Sequence, residues 1–281
     1  MRALPALFLG GVLLCGAAST CAAQETTAAP APAQAGQQPV RELDPVHVNA
    51  MRNPEVRKYK VILAGLDAFD DYHRMAPQAD KLRFRLDPNG KAGTEDAAAA
   101  AAPALAARLV GNDGFKLALP LDADLRFTVP RSDAAEDSDS ELELNRKRNL
   151  YRIRPSVRSP GLPAHHRRLG DLRLECRVTV AMAKEEMPFM VKALVNGILL
   201  TTDWCSFFDN RKNATFSMRA DAPLREAVIV EGNRSALLRT TGRSYHVPLG
   251  EGSWSDEAVI ELDYAGPPAP GADNVATASA P

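Results

Sequence analysis

The stretch LGDLRLECRVTVAMAK, Leu169 to Lys184, is the longest clean period-two run in the chain. Leu172, Leu174, Cys176, Val178, Val180 and Met182 share one parity, and Arg173, Glu175, Arg177 and Thr179 share the other. That alternation is the signature of a strand with one face on a core and the other in water. The run is therefore expected to be a central β-strand, with Cys176 on its inner face and Arg173 and Arg177 on its wet one.

On the carboxyl side, EEMPF (185–189) is a break, and residues 189–200 carry apolar groups at mixed spacing that fits either helix or strand. TFSMR, EAVIVEG, SALLRT, SYHVPL and EAVIEL then read as short strands punctuated by Gly, Pro, Asp and Asn, the rhythm of an antiparallel sandwich. On the amino side, KLRFRL (81–86) alternates, and ARLVG, FKLALPL and LRFTVP are joined by two tight turns into an expected meander. Asn53-Pro54-Glu55 is a helix start, and Val56, Tyr59, Leu63, Leu66 and Phe69 continue at helical spacing, so a helix is expected from Pro54 to Met75. The expected fold class is mainly β (α+β): an antiparallel β-sandwich-like assembly with one docked amino-terminal helix.

FKLALPLDADLRFTVP resembles the hairpin of carboxypeptidase-regulatory-like modules, which are small β-sandwiches. The resemblance covers one hairpin and implies a sandwich with Leu119, Leu121, Phe127 and Val129 facing the core. Leu125 stands where those modules usually have Gly. No activity is implied.

Arg2, the apolar run Ala3 to Leu14 and the small residues leading to Cys21-Ala22-Ala23 read as a secretory signal peptide over residues 1–23. The apolar run is roughly 12 residues, short of the ~20 that span a bilayer. A lipid-anchored form fits poorly, because neither Cys15 nor Cys21 has the small residue and preceding Leu of an acceptor site. Residues 24–45, rich in Ala, Pro and Gln, are expected to be a disordered tether, and 266–281 a disordered tail. The folded region is expected over 46–265, as one unit or as two β subdomains, 46–131 and 142–265. Removal of the signal leaves Cys176 and Cys205, which an oxidising compartment would pair. The expected locale is periplasmic or secreted, with no transmembrane segment in the mature chain.

The chain is 45% hydrophobic and 25% charged with a net charge of -1, so its overall charge implies no nucleic-acid partner. The charge is unevenly placed. Asp133, Glu136, Asp137, Asp139, Glu141 and Glu143 form an acidic stretch, and residues 146–177 carry ten basic residues against Asp171 and Glu175. Clustered guanidinium groups suit bidentate recognition of phosphate or carboxylate. Arg152, Arg154, Arg167, Arg168, Arg173 and Arg177 are the candidate binding residues for an anionic partner. The competing account is neutralisation of this cluster by the acidic stretch.

Phosphate loops, nucleophile elbows, SxxK, HExxH and CxxC motifs are absent from the sequence. His165 and His166 with Asp171 could supply a base and its orienting acid, although a surface loop with local pairing is the more ordinary account. Asp67, Asp70, Asp71 and His73 read as a solvated polar face before they read as a metal site. Trp204-Cys205-Ser206-Phe207-Phe208 is a reactive thiol, an exposed patch or, most ordinarily, a buried disulfide packed on Trp204. The expectation is a non-enzymatic cell-envelope binding or scaffolding protein, with no metal and no cofactor. Its partner would be an anionic envelope component or another envelope protein. The alternative is an envelope hydrolase using His165 or His166 with Asp171.

Overall fold

The computed structural model describes residues 53–89, 104–205, 215–250 and 252–266. The expected signal peptide and tether, the alanine-rich stretch 91–102, Ser206 to Phe208 and all but the first residue of the expected tail lie outside them. Among the described residues strand exceeds helix, 34% against 26%, so the fold is mainly β.

Leu169–Glu186 is an α-helix, not the expected strand. Two apolar stripes, each at i, i+4 spacing, run along it. Leu174, Val178 and Met182 enter one hydrophobic core, while Leu172 and Cys176, with Val180 packed alongside, enter a second. Residues two apart on a helix are separated by about 200°, so stripes on opposite faces interleave in the sequence as a perfect period of two. Strand propensity spans only ~1 kcal/mol per residue. Full burial of an apolar side chain is worth roughly 1.5–3 kcal/mol, and Leu172, Leu174 and Val178 are all fully buried. Two-sided burial thus outweighs the β-branched run Val178-Thr179-Val180. The helix stops at Met187, which is extended (ψ 138°) because Pro188 follows it.

The expected helix from Pro54 to Met75 divides. Pro54–Lys58 is strand β1 and Tyr59–Asp71 is helix α1, followed by a 3-10 turn at His73–Met75. Strand β1 pairs antiparallel with β6 (Glu141–Lys147), and that interstrand ladder takes the backbone groups a helix would have used. Pro54 is the first strand residue, where its missing N–H costs the ladder nothing. Instead of one helix there are four among the described residues: α1, the short α2 (Asp133–Asp137) capped by the Ser132 side chain, α3 (Leu169–Glu186) and α4 (Phe189–Leu199).

The remaining strands are β2 (Arg83–Pro88), β3 (Ala107–Val110), β4 (Lys116–Leu119), β5 (Arg126–Phe127), β7 (Tyr151–Ser156), β8 (His166–Arg168), β9 (Phe216–Arg219), β10 (Leu224–Glu231), β11 (Arg234–Leu237), β12 (Thr240–Thr241), β13 (Ser244–Val247) and β14 (Val259–Tyr264). They form four antiparallel sheets, ordered β1-β6-β3-β4, β5-β2-β7, β11-β10-β14-β8 and β12-β13-β9. The expected meander is broken: β3 and β4 form a hairpin, but β5 pairs with β2 in another sheet. Leu119, Phe127 and Val129 are buried, Leu121 is half-buried, and Leu125 takes a left-handed φ of 57°.

The first core is lined by α1, by Phe84 and Leu86 of β2, by Leu142 and Leu144 of β6 and by Ile153 of β7. The second is lined by Ala227 and Ile229 of β10, Ile260 and Leu262 of β14, and Tyr245 and Val247 of β13. Because β6 and β7 pair with β1, β3 and β2, strand pairing in the first core runs across residues 131–142. Helix α3 is the element both cores share. Its amino end is seated closely: Gly170 N–H donates to Asp256 O at 2.8 Å, and a Cβ there would lie 2.0 Å from the Met75 carbonyl oxygen. Cys176 of α3 is bonded to Cys205, with Cα atoms 6.3 Å apart.

Candidate functional site

His166 opens β8 opposite Glu261 of β14, and His165 precedes it in an exposed turn. Their rings meet edge to face at 4.4 Å. Burial, then the neighbouring His165, holds the His166 imidazole below its ordinary pKa. Asp171 lies in the first turn of α3, almost fully buried. Its two oxygens accept from Ser159, Oδ2 from the backbone N–H at 2.8 Å and Oδ1 from the hydroxyl at 2.6 Å. The structure therefore places the two imidazoles and the carboxylate near one another in sequence without a hydrogen bond between them. Asp171 anchors the crossing before β8 to the helix.

The polar face of α1 is paired too. Asp67 and Asp70 each accept from Arg131 at 2.7 Å, and His73 Nε2 donates to Ala79 O at 2.7 Å. Among the described residues no group of three or more His, Cys, Asp or Glu is arranged to hold a metal ion.

The six candidate arginines spread over four places. Arg173 donates to Leu249 O at 2.6 Å and to Asp256 at 2.5 Å, and Arg177 pairs with Asp203 while lying over the Tyr72 ring. Both line a cavity of about 280 Å³ beside the Cys176–Cys205 bond. Arg168 reaches Gln78 at 3.0 Å and Glu257 at 3.4 Å. Arg152 is exposed on β7, across from Asp87, and Arg154 lies 3.4 Å from the same carboxylate. Arg167 donates to Glu175 at 2.9 Å and to Val157 O at 3.1 Å. The acidic stretch does not supply these partners. Its Glu143 accepts from Arg108 at 2.7 Å, and the basic region is countered by Asp87, Glu175, Asp203, Asp256 and Glu257.

Arg167 shares a narrow cleft with Arg85 of β2, Arg126 of β5, Arg158 of the crossing and Arg219 of β9. Ser156, Asp221, Tyr245 and Tyr264 complete its polar lining. Arg85 pairs with Asp87 at 2.7 Å and with Asp221, and Arg126 with Asp124 at 2.6 Å. Arg158 donates to the carbonyls of Pro163, Ala164 and His166 at 2.7, 2.7 and 3.0 Å. Burial, followed by the charges of Arg167 and Arg126, lowers the Arg158 pKa. Burial pushes the Tyr245 phenol up to about 12.

Sequence reading placed Arg158 and Arg167 in the basic region but missed Arg85, Arg126, Arg219 and Tyr245. The local signal was the wet parity of short strands, as in Arg83-Phe84-Arg85, and it does not tell one exposed strand face from another. A separate surface feature is the outer stripe of α4, where Met190, Leu194 and Ile198 are exposed together with Phe189 and Leu200. Its inner side is held by Asn196, whose Oδ1 accepts from Trp204 at 2.8 Å. No helix among the described residues is long and apolar enough to cross a membrane. Comparison of the chain with family models, curated proteins and solved structures found no match.

Proposed function

We propose that this is a non-enzymatic binding or scaffolding protein of the cell envelope, periplasmic or secreted, that recognises an anionic partner. The observation that carries this reading is the convergence of Arg85, Arg126, Arg158, Arg167 and Arg219, from five separate segments, on a cleft lined by one carboxylate. Exposed Arg152 and the partly exposed Arg154 extend the positive surface along β7. The disulfide suits an oxidising compartment. A sandwich-like facing of sheets is proposed for the second core, supported by the inner residues of β10 and β14 meeting those of β13. The hydrolase alternative requires Asp171 to orient an imidazole, and the engagement of both its oxygens by Ser159 weighs against it.

The test is binding to immobilised dextran sulfate beside uncharged dextran. Binding to the charged polymer alone is expected, falling with added salt and falling again in Arg152→Glu with Arg219→Glu, because these contacts exchange counterions. Equal retention on both matrices, unmoved by salt, removes the reading.

The exposed stripe of α4 favours a second reading, an accessory role beside another envelope protein. It expects Leu194→Ser with Ile198→Ser to leave the unfolding midpoint in place and to abolish a stoichiometric complex recovered with the wild-type chain.

A further inference from the structure

Three polar atoms of residues that line the arginine cleft are buried without a hydrogen-bond partner: Arg126 Nε, Arg167 Nε and the Tyr245 hydroxyl. Tyr245 is fully buried. Buried polar groups without partners are uncommon enough in folded proteins that each calls for a reason. These three share a property. A guanidinium nitrogen can only donate, and a phenol that has found no donor can donate as well. They come from β5, β8 and β13, elements in three different sheets, so no local chain conformation explains their meeting.

The group that would satisfy all three must accept several hydrogen bonds at once. A cation cannot, and an apolar group cannot. One water accepts at most two hydrogen bonds, fewer than the three donors present. An oxyanion offers several acceptor atoms and answers the charge as well. The charge needs answering at two positions in particular. Arg158 is bonded only to carbonyl oxygens, and Arg219 makes no ion pair among the described residues. The cleft encloses about 10 Å³, so a ring system is excluded and the arginine side chains must part to admit a small oxyanion.

We propose that this cleft binds one phosphate-type oxyanion, free or at the end of a larger partner, through Arg126, Arg158, Arg167, Arg219 and the Tyr245 hydroxyl. The proposal rests on the anion-binding reading above and names the ligand class for that site.

The experiment is calorimetric titration of the full mature chain with inorganic phosphate, glycerol phosphate, acetate and chloride at constant ionic strength, beside thermal unfolding in the same salts. One saturable site is expected for a phosphate compound, with a raised unfolding midpoint and no comparable response to chloride. A stronger response to glycerol phosphate assigns the terminal-group source, and a stronger response to inorganic phosphate assigns the free ion. Arg219→Gln and Tyr245→Phe should each weaken the phosphate response about tenfold, the worth of one hydrogen bond to a charged group. Tyr245→Phe is the decisive variant. It removes an unmet buried hydroxyl, so the ligand-free protein should unfold at the same temperature or higher, which separates lost binding from lost folding. Wild-type phosphate affinity in Tyr245→Phe overturns the proposal, as does a phosphate response no larger than that to chloride. If phosphate fails while dextran sulfate still binds through Arg152 and Arg219, this site falls and the anion-binding reading stands. Failure of both removes both.

Discussion

Asp171 shows how far a residue's role depends on a partner the local sequence does not announce. Beside two histidines it has the spacing of an orienting acid, yet Ser159, twelve positions earlier, takes both its oxygens in a buried setting. A buried hydrogen bond to a charged acceptor is worth about 1.5–3 kcal/mol. Asp171→Asn keeps the shape and gives up the charge and one acceptor, so urea unfolding should show a loss of about 1–3 kcal/mol. An unchanged midpoint would mean that the pair does not hold the crossing to α3. The arginines teach the same lesson. Arg173 and Arg177 look uncompensated in a basic run, but Asp256 and Asp203 reach them from later in the chain. Only three-dimensional proximity distinguishes these paired cations from Arg158, whose donors meet carbonyl oxygens instead.

At the scale of the element, α3 is where sequence pattern and structure part. Period two is a sound sign of a strand when one face is buried, and a false one when a helix is buried on two opposite faces. Leu172 with Cys176 and Leu174 with Val178 are each an ordinary i, i+4 pair. Nothing in the alternation distinguishes their interleaving from a pleated strand. The clue available was length, since a run from Leu169 to Lys184 exceeds the usual strand and suits a helix. The disulfide was legible, because removal of the expected signal peptide would leave Cys176 and Cys205 to each other. It fastens α3 to the segment after α4 across a separation of 29 residues. Closing such a loop contributes about 3.5 kcal/mol in the chain-entropy model. Urea unfolding with and without reductant should differ by about that amount, and coincident curves would mean the bond contributes nothing to stability.

For the molecule as a whole, the consequence of α3 is cooperativity. Leu174, Val178 and Met182 belong to the first core and Leu172 and Cys176 to the second, so neither core can lose its side of the helix without exposing the other. The chain has two tryptophans, Trp204 and Trp254, and the latter packs in the second core. Tryptophan fluorescence therefore follows that half, and far-ultraviolet circular dichroism follows both. The two probes should give one transition with coincident midpoints, the mark of two-state unfolding. Separated midpoints would show two independently stable halves, one around each core.

By itself the sequence determined the mainly β character, most of the short strands from Arg83 to Tyr264, the pairing of Cys176 with Cys205 and the presence of a concentrated positive charge. These follow from local alternation, turn chemistry and counting, which are properties of neighbouring residues. Tertiary structure alone decided that Leu169–Glu186 is a helix, that Pro54–Lys58 is a strand, and which arginines are neutralised and which converge with Tyr245. The physical reason is common to all three. Each outcome depends on what lies across the core or the cleft: a second apolar surface for α3, the β6 edge for β1, and carboxylates from distant segments for the arginines.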